Sequence, residues 1–219
     1  RQLCKILIGY TKRNNIKNSA LKFKKQGVLE VETLKEVKNV IGRTDWDEAC
    51  VKQINPNVNF FFCNESLRSG FYDKEWSLEN CEKHSVFVSQ ASYPIKGFHL
   101  MLEGFKEIAK KYPDAKLYTT GKNPLTLKGM DKLKQSLYSK YLGKLIKKYK
   151  LENNVEFLGF LSEEKMAERF LKSNVFVSPS SIENSPNSVG EAMLLGVPTV
   201  SSDVGGVKNM LTHGKDGFI

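Results

Sequence analysis

Short apolar runs and helical apolar stripes alternate along the chain from about residue 83 onward. The runs at 85–88, 116–119, 155–158, 175–178 and 198–201 predict strands. Apolar residues recur at helical spacing between them, and we predict helices over 98–112, 131–150, 162–171 and 188–195, with a short one after Gly205-Gly206. Strands separated by helices of this length predict right-handed crossovers and an α/β fold with a doubly wound parallel sheet.

Residues 1–80 are less regular. Val40-Ile-Gly42 and Asn59–Phe62 predict two strands, with a helix from Thr44 between them. We predict that residues 1–80 are the closing part of an earlier α/β domain with a crossing segment. Residues 81–219 then form a Rossmann-like domain. The chain starts without Met and stops inside a predicted strand, so we expect a fragment of a longer protein.

Charge indicates an anionic partner. The chain has 34 basic and 24 acidic residues, a net charge of +10. Residues 1–29 contain no acid and interleave basic residues with Leu and Phe, which is typical of a solvated helix face; peripheral contact with an anionic membrane is the alternative. The sequence lacks a signal peptide, a membrane-spanning run and CxxC spacing. We therefore expect reduced, mostly buried cysteines in a cytoplasmic protein, with the inner membrane face as a possible site of attachment.

The run from Ser181 to Pro198 carries the most informative pattern. Glu183 and Glu191 stand eight positions apart, across a loop that follows a predicted strand and turns into a helix. Such a corner presents backbone N–H groups and a positive dipole end, which suit a phosphate. The two carboxylates can accept hydrogen bonds from sugar hydroxyls, so the pattern predicts a nucleotide-sugar site. The structural alternative is a capping box in which Ser188 caps the helix and Glu191 folds back onto it.

Ligands of doubly wound sheets bind beyond the carboxyl ends of the strands. The loops that follow the predicted strands are therefore expected to form the ligand site; they are 89–97, Gly121, Gly159-Phe160, 178–188 and 201–206. Lys96, in the first loop, could reach a diphosphate held at the neighbouring helix start. The alternative, which is favoured for a lone lysine, is a solvated side chain at a helix entry. Asp45-Trp-Asp47 imitates a metal motif, but first-turn acids after Thr44 explain it better, and the three histidines have no ligand spacing. We therefore predict no metal site.

Several motifs occur in an order that resembles the donor-binding domain of family 4 glycosyltransferases, retaining enzymes of the GT-B architecture. They are Lys96-Gly-Phe-His-Leu-Met-Leu102, Val155-Glu-Phe-Leu-Gly159, the Glu183 and Glu191 pair with Ala192-Met-Leu-Leu-Gly-Val-Pro198, and Gly205-Gly206. Ile41–Asp47 and Phe62–Ser66 are similar to the end of that family's acceptor domain. The resemblance implies retaining transfer of a hexose from a UDP- or GDP-sugar to a saccharide or lipid-linked acceptor, without a further cofactor. It also implies a role in polysaccharide biosynthesis.

The resemblance also assigns site residues. It implies that Glu191 binds the ribose, that Glu183 contacts the donor sugar and that Lys96 holds the diphosphate, with Glu183 and Lys96 as the catalytic pair. Amides of Ser188 and Val189 complete the phosphate cradle, and Phe160, after Gly159, lies along the base. Gln90 stands where the family usually has an Arg, and Asn184 and Pro186 stand in a loop that is often glycine-rich in the family. Sugar contacts are therefore expected to shift to Asn184, Ser185 or Asn187, and Lys208-Asn209 replaces a family acid.

Other functions stay open. A sugar-nucleotide epimerase or phosphorylase shares the architecture, and a non-catalytic nucleotide-binding fragment is a further alternative. A dinucleotide-dependent oxidoreductase is disfavoured because no GxGxxG follows the first strands, and nucleic-acid binding is disfavoured because no binding motif accompanies the charge. The GT-B acceptor domain commonly supplies a catalytic His from its N-terminal half. We therefore expect these residues alone to bind nucleotide without transferring sugar.

Overall fold

The protein divides into two compact units between Asn64 and Glu65. A computed structural model describes residues 16–219, with side chains from Ala20 onward. The division falls earlier than the expected boundary at residue 80. Residues after Glu65 belong with the larger unit because Phe71 is fully buried in its core and Trp76 Nε1 donates to the Ser173 carbonyl at 2.8 Å.

The smaller unit contains a parallel pair of strands. Its elements are α1 (Ile16–Glu36), β1 (Asn39–Gly42), α2 (Asp45–Ile54) and β2 (Asn59–Phe62). Both predicted strands are confirmed. Thr44 caps α2, since its Oγ1 accepts from the Asp47 N–H at 3.1 Å, and Asp47 Oδ2 accepts from the Arg43 N–H at 2.8 Å. The acids of the metal-like motif therefore belong to a helix start, as predicted. The basic stretch lies outside the described residues as far as residue 15.

The larger unit, residues 65–219, is built on a five-stranded parallel sheet in the order β5-β4-β3-β6-β7. Its strands are β3 (Glu82–Val88), β4 (Lys116–Thr119), β5 (Val155–Phe157), β6 (Ser173–Ser178) and β7 (Thr199–Ser201). The helices are α3 (Phe98–Lys111), α4 (Gly129–Leu133), α5 (Leu137–Lys148), α6 (Glu163–Leu171) and α7 (Asn187–Leu194). The strand pattern and the doubly wound sheet predicted from the sequence are confirmed.

The two faces of the sheet carry separate cores. Leu102 and Ile146, from α3 and α5, pack in one apolar cluster with the buried Leu117 of β4. Phe170 and Val189, from α6 and α7, pack in the other, which includes Phe87 of β3. The chain adds β4 and β5 on one side of β3 and then returns to add β6 on the other. The carboxyl ends of β3 and β6 therefore form the switch point at which such sheets bind ligands.

Two local predictions are wrong. The helix expected over 131–150 is interrupted after α4, because Ser136 caps a new helix with its Oγ accepting from the Ser139 N–H at 3.1 Å. Cys50 and Cys63 are exposed rather than buried, and Cys4 lies outside the described residues. Among residues 16–219, none of the helices is long and apolar enough to cross a membrane.

Candidate functional site

A cavity of about 510 Å³ opens at the switch point, beyond the ends of β3 and β6. Six of the predicted site residues line it: Gln90, Lys96, Glu183, Asn187, Ser188 and Glu191. Arg68, Ser180 and Thr120 line it as well. The cavity thus holds two acids and two cations beside the first turn of α7.

Lys96 and Glu183 form an ion pair inside the cavity. Lys96 Nζ lies 2.5 Å from Glu183 Oε1, and Ser180 Oγ donates to the same oxygen at 2.7 Å. The Glu183 side chain is only 12% exposed. The Glu183 carbonyl also accepts from the Gly206 N–H at 3.3 Å, which ties the loop to the Gly-Gly turn. Glu183 is therefore held at a defined position by both its backbone and its side chain.

Gly97 allows the Lys96 loop to approach the Glu183 loop closely. The 3₁₀ turn Pro94–Lys96 ends at Gly97, whose φ is +70°. A Cβ on Gly97 would lie 1.7 Å from the Pro179 carbonyl oxygen. The Ser181 N–H donates to the Ile95 carbonyl at 2.7 Å across the same contact. A residue with a side chain at position 97 would force the two loops apart.

Gly97→Ala is therefore expected to destabilise the protein by about 2 kcal/mol or more and to weaken ligand binding, because alanine disfavours positive φ and meets the Pro179 carbonyl. Thermal unfolding and calorimetric titration measure the two effects. Gly104→Ala, at a helical glycine of α3 with open space around it, is the control and should stabilise the protein by about 1 kcal/mol. Equal unfolding temperatures for the two variants would contradict the packing argument.

Arg68 holds Glu191 through both carboxylate oxygens. Arg68 Nε donates to Oε1 at 2.7 Å, and Nη2 donates to Oε2 at 2.8 Å. Glu191 is 3% exposed, whereas the Arg68 side chain is 41% exposed and lies 4.7 Å above the Phe71 ring. The hydrogen bonds that Arg68 donates to Glu191 raise the pKa of Arg68 above its usual value, against the effect of burial. Arg68 therefore keeps its charge at the wall of the cavity.

The capping-box interpretation of Ser188 and Glu191 is wrong. Helix α7 begins at Asn187, with Pro186 as its N-cap residue and no side-chain capping bond. Glu191 instead turns its carboxylate to Arg68. This leaves the first turn of α7 facing the cavity through Asn187 and Ser188, where backbone N–H groups lack partners within the helix.

Three further predicted residues, from the Glu183 loop and the start of α7, do not line the cavity. The Val189 side chain is buried in the core, and its N–H donates to the Pro186 carbonyl at 2.9 Å. Asn184 belongs to the same loop, and Ser185 Oγ lies 3.5 Å from Met210 Sδ. Neither residue lines the cavity, so both remain predictions as sugar contacts.

Gly159 and Phe160 lie outside the main cavity. Phe160 is 85% exposed and lines a neighbouring cavity of about 370 Å³. Gly159 accepts from the Gly121 N–H at 2.8 Å, which joins the loops after β4 and β5. Thr120 lines both cavities, so the second cavity adjoins the first. The structure thus places Phe160 in a neighbouring cavity, and its contact with the nucleobase stays a prediction.

Two residues that line the cavity, Arg68 and Ser180, were not predicted from the sequence. Arg68 is 123 positions from Glu191 and lies outside the five loops predicted to form the site, so local pattern gives no signal for it. Ser180 stands in the predicted loop 178–188, but a serine is common in any loop.

The structure shows no grouping of metal ligands: the described residues include no cluster of three or more His, Cys, Asp or Glu side chains.

The composition of the cavity defines the ligand it suits. Lys96, Arg68 and the start of α7 are groups that can attract a phosphate, and the carboxylates of Glu183 and Glu191 are able to accept hydrogen bonds from hydroxyls. A dinucleotide site of the oxidoreductase type would have a glycine-rich turn after its first strand, but Ser89 and Gln90 follow β3. The arrangement fits a phosphorylated, hydroxyl-rich molecule.

Known glycosyltransferases resemble the chain in sequence. It is 38% identical over 109 residues to an uncharacterized glycosyltransferase of Methanocaldococcus jannaschii, which covers 49% of this chain and 23% of that protein. It is 29% identical over 122 residues to mannosylfructose-phosphate synthase of Agrobacterium fabrum, with 55% and 25% covered. The chain spans about a quarter of the length of these two relatives.

Comparisons with solved structures and with a family model also find glycosyltransferases. Sucrose-phosphate synthase from Thermosynechococcus elongatus superposes with a TM-score of 0.73 at 19% identity, over 96% of this chain and 52% of that one. Anabaena HepE in complex with UDP-glucose gives 0.65 at 22% identity, over 87% and 52%. The fold is thus of the GT-B glycosyltransferase type. The family model described as glycosyl transferases group 1 matches residues 71–219, more than half of the sequence, and the chain belongs to that family.

Proposed function

We propose that the chain carries the donor site of a family 4 glycosyltransferase, which transfers a hexose from a nucleoside-diphosphate sugar with retention of the anomeric configuration. One observation carries the proposal. Lys96, Arg68, the first turn of α7 and the carboxylates of Glu183 and Glu191 meet in one cavity at the switch point of the sheet. A diphosphate flanked by two sugars matches that set of cations and acceptors.

The cations stabilise the leaving group. When the bond from the anomeric carbon to the diphosphate breaks, negative charge collects on the departing phosphate oxygens. Lys96 and the first-turn amides of α7 meet that charge, and they need little rearrangement because the Gly97 contact fixes the loop. Arg68 supplies a second positive charge in the same cavity, in a chain where Gln90 stands at the position of the family's arginine.

The two acids recognise hydroxyl groups. Glu191 accepts from the ribose hydroxyls, and Glu183 accepts from the hydroxyls of the donor sugar. Both Glu191 oxygens bond to Arg68 in the structure, so nucleotide binding requires the guanidinium to share them or to turn toward the diphosphate. Arg68 has room to turn because its side chain is 41% exposed. Glu183 and Lys96 are the residues nearest the reacting bond in this proposal.

Names of related proteins support the choice of donor and acceptor. HepE was solved with UDP-glucose, and two sequence relatives are a mannosylfructose-phosphate synthase and a sucrose synthase. We infer a UDP- or GDP-hexose donor and a saccharide or lipid-linked acceptor that attacks from the leaving-group face.

Two further assignments stay predictions. One places residues 1–80 on the acceptor side and residues 81–219 on the donor side, and the other is the cytoplasmic location.

The proposal is tested with a panel of UDP- and GDP-hexoses. Calorimetry on the 219-residue chain identifies the donor that binds. Because these residues alone are expected not to transfer sugar, transfer to saccharide acceptors is followed in the longer protein that is expected to contain them, by NMR of the anomeric proton of the product. A product that keeps the configuration of the donor is expected. An inverted product, or the absence of binding by every sugar nucleotide, would contradict the proposal.

The same assay separates the alternatives. An epimerised sugar nucleotide, formed without acceptor, indicates an epimerase. Sugar phosphate formed from a saccharide and inorganic phosphate, by cleavage of a glycosidic bond and without a sugar nucleotide, indicates a phosphorylase. Tight sugar-nucleotide binding without turnover by the longer protein under all these conditions indicates the non-catalytic alternative.

A further inference from the structure

Residues 128–150 combine many lysines with exposed apolar side chains. The segment spans α4 and α5 and contains eight lysines and a single acid, Asp131. Asp131 forms an ion pair with Lys122 at 2.9 Å, so it leaves the lysines of α4 and α5 largely uncompensated. The surface of interest, called here the α4–α5 face, is defined by these exposed residues: Met130, Leu133, Leu137, Tyr141, Lys128, Lys132, Lys140 and Lys144.

The apolar residues of this face point away from the core and the cavity. Leu133 is 72% exposed and Leu137 is 83% exposed. The side of the segment that lines the second cavity consists of other residues, among them Gln135 and Tyr138. In α5, Leu142, Leu145 and Ile146 are buried, whereas Leu137, Tyr141 and Lys144 follow helical spacing on an exposed side. The apolar and basic residues thus share one outward surface.

Exposed leucines beside lysines are typical of a helix that lies in a membrane interface. Leucine side chains gain from leaving water for the acyl boundary, and lysines are attracted to anionic headgroups. A nucleic acid would engage the lysines and could stack a base on Tyr141, but Leu133 and Leu137, the most exposed apolar side chains of the face, offer no ring. Charge complementarity together with the apolar stripe therefore favours an anionic lipid surface.

We propose that the α4–α5 face docks on the surface of an anionic bilayer, with Leu133 and Leu137 entering the headgroup region and the lysines contacting lipid phosphates. This contact differs from the one suggested by the basic start of the chain. It also does not depend on the proposed donor chemistry, because the defining residues lie outside the main cavity.

Vesicle co-sedimentation of the full 219-residue chain tests the proposal. We expect binding to phosphatidylcholine vesicles that contain about one third phosphatidylglycerol, and little binding to pure phosphatidylcholine. Leu133→Ser/Leu137→Ser should weaken binding about tenfold or more, since two apolar side chains leave the interface. Lys140→Gln/Lys144→Gln should also weaken binding and should make it less sensitive to salt.

Three controls keep the outcome interpretable. Leu78→Ser/Leu100→Ser replaces exposed leucines elsewhere in the larger unit and should leave vesicle binding unchanged. Leu21→Ser/Phe23→Ser replaces exposed apolar residues beside the lysines of α1. It tests whether the basic start of the chain, rather than the α4–α5 face, contacts the membrane. Circular dichroism confirms folding of each variant.

Several results would overturn the proposal. They are absence of vesicle binding by the natural chain, full binding by the Leu133→Ser/Leu137→Ser variant, an equal loss in the Leu78→Ser/Leu100→Ser control, and a loss confined to the α1 variant. The face would be assigned to nucleic acid instead if the chain bound a short oligonucleotide tightly and did not bind vesicles. In that case the leucine substitutions would leave the oligonucleotide affinity unchanged.

Discussion

Lys96→Ala is expected to weaken binding of the nucleoside diphosphate about 10- to 100-fold while leaving binding of the matching nucleoside unchanged. A hydrogen bond to a charged group contributes about 1.5–3 kcal/mol, and about 1.4 kcal/mol corresponds to a factor of ten. Lys96 lines the cavity together with Asn187 and Ser188 of the first turn of α7, and in the proposed site it contacts phosphate but neither base nor ribose. Calorimetry with UDP or GDP, whichever binds, and with uridine or guanosine measures both affinities.

Matched variants show whether Lys96 acts through phosphate. Lys96→Arg keeps the charge and should recover most of the affinity for the diphosphate. Lys208→Ala removes an exposed lysine that pairs with Asp203 outside the cavity, and it should change neither affinity. If Lys96→Ala weakened nucleoside and diphosphate equally, the residue would serve only to hold Glu183 in place through the ion pair.

Glu191→Ala is expected to lower the affinity for both the nucleoside and its diphosphate about 10- to 100-fold, because two ribose hydroxyls lose a charged acceptor. The protein should stay folded, since the Arg68 side chain is already partly in water. A 2′,3′-dideoxy nucleotide provides the sharpest measurement. It should bind the natural protein and the variant with equal affinity, because it has no ribose hydroxyls to donate.

Because Arg68 pairs with Glu191, a double-variant cycle at these two positions distinguishes ribose binding by Glu191 from positioning of Arg68. If Glu191 serves only to hold Arg68, then Arg68→Ala alone should reproduce the whole loss, and the double variant should add nothing. If Glu191 binds ribose, Arg68→Ala should weaken the diphosphate but leave the nucleoside nearly unaffected. Nucleoside affinity that is unchanged by Glu191→Ala would refute the ribose assignment.

Much of the fold follows from local pattern. The strands of a parallel sheet are covered on both faces, so they appear as short apolar runs that are easily located. Each of the five predicted strands of the larger unit occurs in the structure, β4 with its predicted bounds. Helix interruptions are harder to predict, because the apolar stripe continues across Lys134–Ser136 while the capping bond of Ser136 starts a new helix.

The chain's own sequence determined which segments become strands and helices, and it placed Lys96, Glu183 and Glu191 in loops that end at one edge of the sheet. Periodicity and turn chemistry act within a few residues, so the pattern of neighbours suffices for that much. Only the tertiary structure decided that Arg68 holds Glu191 and that Ser180 and Lys96 share one oxygen of Glu183. Those contacts depend on how distant segments pack, and hydrogen bonding between residues up to 123 positions apart leaves no trace in local spacing.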